Sequence, residues 1–194
     1  MNSVDTTNSV ADAVAEMKAF AAAQLQTIAP PTNRDEQWQN TQIQNRLNGQ
    51  SIVSSEQNYA PFILPFETQH ISTKNSKTID ITSEQAGVTI LPISTISENN
   101  WQKIKPYFNQ SAKATNYFDQ ANTANFEDAL IILIEKNTIV NNPIFIDNIL
   151  ENQTNNFSRL FVFAEKNTAV TFIENQTNSH QGIGNFFTEI IGKH

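Results

Sequence analysis

The chain has 194 residues, 39% of them apolar, enough for one ordinary domain or for a small domain plus the beginning of another. Net charge is −7 and the twelve Lys and Arg residues are scattered, so the electrostatic footprint of a nucleic-acid binder is missing. The absence of cysteine excludes any disulfide and any thiolate from this chain to zinc, iron or a cluster.

In chain order, residues 1–10 are polar and carry Asp5, unlike the basic and then apolar start of a secretory signal. No apolar run reaches the length of a membrane span, so a cytoplasmic protein with no membrane partner is expected. Val10, Val14, Met17, Ala21, Leu25 and Ile28 recur at three- and four-residue spacing and predict an amphipathic helix over 9–28. Ser9 caps it, Asp12 answers the cap, and Pro30-Pro31 end it. A second helix is expected over Arg34–Leu47, with Trp38, Ile43 and Leu47 burying one face against the first and Asn48-Gly49 as the stop.

Residues 50–60 read as a loop. Phe62–Leu64 and Gly87–Leu91 read as short strands bounded by Pro61, Pro65 and Pro92, and residues 78–82 alternate polar and apolar between them. A helix over Ser97–Tyr107 follows from Trp101, Ile104 and Phe108 on one face, continuing after a break into residues 109–124.

From Phe126 the pattern turns to β. Ala129–Ile134 is followed by Glu135-Lys136-Asn137-Thr138 and Ile139-Val140. Thirty residues later Arg159–Ala164 is followed by Glu165-Lys166-Asn167-Thr168 and Ala169-Val170, so one strand–turn–strand unit occurs twice with an identical turn. Asn tolerates the left-handed backbone such turns need. Phe186–Ile191 forms a third strand and leads into Gly192-Lys193-His194 where the turn occurs earlier. Such repetition is the mark of a solenoid, although a sandwich or a meander of hairpins also produces it. In a solenoid Ile134 stacks near Ala164 and Val140 near Val170.

No chemical constellation emerges, and catalytic, cofactor-binding and metal-binding residues are all expected to be none. His70, His180 and His194 have no acid or nucleophile at motif spacing and read as surface histidines. Glu127-Asp128 reads as a polar turn, since adjacent strand residues point to opposite faces. Lys103, Lys105 and Lys113 read as solvated, and Trp38 and Trp101 as core. Five glycines leave no room for a phosphate loop. The 25 Asn and 16 Gln residues reflect compositional bias, as do the Asn-x-Ser/Thr tripeptides at Asn109, Asn152, Asn156 and Asn175.

Pro31-Thr32 through Glu36, Trp38 and Thr41 resembles the N-terminal signature of SufD proteins, with Gln39-Asn40 in place of the usual Lys-Tyr. Asn122–Ala124 with Asp128, Val140–Ile144, Ser158–Leu160, Glu165 with Asn167, Thr171–Glu174 and Thr188–Ile190 are similar to later family elements in the same order. Ala129 stands where the family commonly has Gly.

The resemblance spans residues 15–194 and implies an α+β chain: a mixed, mainly helical region over 1–124, then the first coils of a right-handed parallel β-helix over 125–194, truncated as its core begins. It implies the N-terminal part of a SufD-like subunit of the SufBCD iron–sulfur cluster assembly scaffold, not an enzyme, with no cofactor in this chain. Its partners would be SufB- and SufC-type subunits, whose main docking regions lie outside this chain, and self-association through the last strand is a further expectation. A β-solenoid acting on or binding polysaccharides is the alternative. It would need carboxylates clustered on one strand face.

Overall fold

The computed structural model describes residues 9–41, 43–47, 64–81, 85–150, 155–178 and 183–193. The first helix, α1 (Val10–Leu25), begins with a capping box in which Ser9 and Asp12 bond reciprocally. Val10, Ala13, Val14 and Met17 lie half-buried on the core and Ala21 is fully covered, so the predicted stripe is the packed face.

The second predicted helix is largely replaced by turns. Among the described residues of this stretch, α2 (Ile43–Leu47) is the helical part. Upstream, Asp35 N bonds Thr32 O, Trp38 N bonds Asp35 O, and Thr41 N bonds Trp38 O, each three residues back. The Asp35 carboxylate accepts from Thr32 N at 2.6 Å and Thr41 Oγ1 donates to Trp38 O at 2.9 Å. Such short polar side chains bond the backbone locally in place of helix. Trp38 is half-buried rather than buried, with its ring tilted against that of Phe118, centroids 5.1 Å apart. The strand expected at Phe62–Leu64 falls mostly outside the described residues, as do the loop at 50–60 and the stop at Asn48-Gly49.

Among the described residues eight strands form two four-stranded sheets. The first sheet has β2 (Lys77–Ile81), β1 (Gln69–Lys74), β5 (Ile144–Leu150) and β7 (Phe172–Asn178), in that order. The second has β3 (Val88–Pro92), β4 (Ala129–Ile134), β6 (Asn156–Ala164) and β8 (Gly184–Gly192). Pairs β1–β5, β5–β7, β4–β6 and β6–β8 are parallel, while β1–β2 and β3–β4 are antiparallel. With the helices, this makes the molecule an α+β fold with mixed sheets.

The repeated unit stacks in register. Ile134 pairs with Ala164, and Val140 N donates to Ala169 O at 2.8 Å. Asn137 (φ 62°) and Asn167 (φ 59°) both take the left-handed conformation, and their side chains bond to each other at 3.0 Å.

Strand β4 is buried along its whole length because both of its faces are covered. Leu130, Ile132 and Ile134 meet Ile71, Ile144, Ile146, Leu160 and Val162 between the sheets. Ala129, Ile131 and Leu133 meet Trp101, Ile104 and Phe108 on the other side. The result is a layer order of sheet, sheet, helices. In the helical layer, α3 (Glu98–Ile104) starts at Ser97, whose hydroxyl accepts from Asn100 N, and α4 (Tyr117–Asn125) is capped by Asn116. Helix α4 lies between α1 and the second sheet, which explains why Gln120, Ala121, Asn122 and Thr123 are all buried.

Candidate functional site

The residues weighed for chemistry in the sequence are dispersed. His70 sits half-buried on β1, 3.4 Å from Ser72 Oγ and stacked on Phe145, while His180 and His194 lie outside the described residues. Glu127 is exposed and pairs with Lys77 at 2.9 Å, a hydrogen bond that pulls the Lys77 ammonium upward. Asp128 points elsewhere, accepting from Ser94 Oγ (2.6 Å) and Ala129 N (2.9 Å), so the two carboxylates brace separate corners. Trp101 is buried against Phe108, whereas Lys103, Lys105 and Lys113 are exposed. Among the described residues no group of three His, Asp or Glu side chains could hold a metal ion.

Two polar clusters were not evident from the sequence. The first surrounds Arg159, on the helix-facing side of β6. It lies over the rings of Phe187 (4.6 Å), Phe108 (5.1 Å) and Phe126 (5.4 Å). Its Nη1 donates to Thr123 Oγ1 at 3.1 Å and Asn122 Oδ1 at 3.3 Å, and its Nη2 to Asn109 Oδ1. Glu189 of β8 lies 3.9 Å away, both side chains fully buried, and its two oxygens accept from Asn109 N (2.8 Å) and Ser111 N (2.7 Å). Desolvation lowers the Arg159 guanidinium to about 10, against the opposing pull of Glu189 and then Asp119. The available signal was a lone charge inside each of two apolar strands, since buried charges require partners.

The second cluster lies between the sheets. Thr73 Oγ1 donates to Asn148 Oδ1 (2.6 Å) and Asn148 Nδ2 to Glu174 Oε1 (3.0 Å), crossing β1, β5 and β7. Thr188 Oγ1 of β8 donates to Glu174 Oε2 at 2.9 Å and joins the two sheets at their open end. There β7 and β8 are the outermost strands, and Ile190, on the row facing the sheet interior, is 58% exposed. Trp38 and Phe118 line two adjoining hollows, one beside Pro31 and the other beside Gly184 and Phe186 at the start of β8.

The polar side chains of these clusters therefore brace the fold, and among the described strands β7 and β8 edge the two sheets at one end and β2 and β3 at the other. That defines a two-sheet α+β protein whose described buried polar clusters join its sheets and helices. The chain belongs to the family described as the SufBD protein N-terminal region, whose profile matches residues 2–146, well over half of its length. Compared with curated proteins, it has no match. No helix among the described residues is long and apolar enough to cross a membrane.

Proposed function

We propose that this chain is the N-terminal part of a SufD-like subunit with a structural role in iron–sulfur cluster assembly, working beside SufB- and SufC-type subunits in the cytoplasm. The observation that carries this reading is the family match over residues 2–146. It is supported by the lack of cysteine, which leaves this chain without the thiolates clusters ordinarily use, so that catalysis and cluster ligation fall to other chains or regions. Membership alone does not separate SufD from SufB. The ordered Pro31–Trp38 and Val140–Ile144 elements favour SufD.

The two sheets fit the first coils of a right-handed parallel β-helix. Strands β4 to β8 alternate between the sheets, with β6, β7 and β8 each pairing parallel with the strand two before it, and parallel crossovers of this kind are overwhelmingly right-handed. In this reading β1 to β3 close the first coil and the helical region ends with α4 at Asn125, beside the boundary placed at 124/125.

Co-expression with SufB- and SufC-type subunits tests the assignment. A co-purifying complex, together with a colourless chain after anaerobic incubation with iron and sulfide, is the expected result. A stoichiometric cluster on the isolated chain overturns the division of labour. Failure to associate with either subunit, with binding to a polysaccharide panel, overturns the family role in favour of a sugar-binding solenoid.

A further inference from the structure

We infer that residues 109–125 form a strap fastened to β8 through Glu189, so that strap and strand open and close as a single unit while β4 and β6 stay folded. Four hydrogen bonds tie the strap to β8. Glu189 accepts from Asn109 N and Ser111 N, Asn185 Nδ2 donates to Phe118 O at 2.9 Å, and Asn122 Nδ2 donates to Asn185 O at 2.9 Å. Asn109, at φ 65°, bends the loop so that both N–H groups converge on one carboxylate.

Arg159 makes the coupling reciprocal. It donates to Asn109, Asn122 and Thr123 of the strap, and it covers Phe187 and faces Glu189 of β8. Lifting the strap alone removes both N–H partners of Glu189 and every hydrogen-bond acceptor the structure gives Arg159. Peeling β8 alone removes the only carboxylate beside Arg159 among these contacts and leaves the Asn109 and Ser111 N–H groups unpaired. Either half-step strands a desolvated charge or donor, which is costly, whereas joint opening lets water reach all of them. The strands beneath are held by apolar faces that the step does not touch. By linkage, anything that pairs with the free edge of β8 also tightens the strap and the Trp38–Phe118 wall attached to it.

Native-state hydrogen exchange of the whole chain in rising, sub-denaturing urea tests the unit. Strap amides, Asn109 and Ser111 included, and the amides joining β8 to β6 should merge on one opening isotherm below that of the β4–β6 amides. Glu189→Gln, and separately Asn185→Ala, should accelerate strap and β8 exchange together, at least tenfold for Glu189→Gln, and leave the β1–β5 amides unchanged. The inference is overturned if the strap opens without β8, if either variant moves one set alone, or if both sets exchange only with β4 and β6. Should Glu189→Gln fail to fold, the wild-type isotherms and Asn185→Ala decide.

Discussion

At Gly87 the backbone takes φ +81°, a left-handed conformation that costs other residues about 1–2 kcal/mol, and a Cβ there would run into the Thr138 side chain. Gly87→Ala should therefore lower stability by more than the backbone cost alone. Adding Thr138→Ala should recover the steric part and leave roughly 1–2 kcal/mol, read by urea denaturation as a double-mutant cycle. Equal losses in the single and double variants would show that Thr138 simply moves aside. The two tryptophans offer a contrast. Trp101, 3% exposed among Phe108 and Ile104, should cost about 3–5 kcal/mol on replacement by Ala. Half-buried Trp38, in contact with Phe118, should cost roughly 1–2 kcal/mol. A larger loss at Trp38 than at Trp101 would reverse this ranking.

The stacked turns at Asn137 and Asn167 are the elements on which the strand register depends. Both residues are left-handed and mutually bonded, yet their side chains are exposed, so backbone conformation should matter more than the hydrogen bond. Asn137→Gly should stay within about 0.5 kcal/mol of the parent, while Asn137→Val should lose roughly 1–2 kcal/mol. Thermal melts of the two variants check this, and a Val variant as stable as the Gly variant would contradict it. The tie between α4 and the second sheet is of a different kind, because Asn122, Thr123 and Arg159 hold it with polar groups inside an aromatic shell. Such a tie sets position and register rather than adding much net stability.

For the molecule as a whole, the open end is where association should occur. β7 and β8 leave their outer backbone edges unpaired by any described strand, and Phe186, Thr188 and Ile190 lie on the interior-facing row of β8 with no further described strand beyond it. Sedimentation of the isolated chain should therefore show concentration-dependent self-association. Ile190→Lys should weaken it without lowering the melting temperature, since Ile190 is already 58% exposed. A strictly monomeric parent, or a variant that associates equally, would remove the edge from consideration. Glu189 and Asn185 anchor β8 on its helix-facing side, so this edge is presented by an ordered strand.

Information local in the chain was enough for α1, α3 and the repeated turns, because a capping box, a helical stripe and a left-handed Asn act within a few residues. It was also enough for the stacking of Ile134 on Ala164, since equivalent residues of a repeat lie over one another, and for the lack of thiolates, a matter of composition. The 32–41 segment misled because its apolar spacing suits a helix while Thr32, Asp35 and Thr41 bond the backbone into turns. Only the folded packing could pair β1 with β5 and β3 with β4, whose partners lie far apart in sequence. It alone could join Arg159, Glu189, Asn109 and Asn122, because a charge in a strand is tolerable in the interior only once distant segments have brought its counter-charge and donors to it.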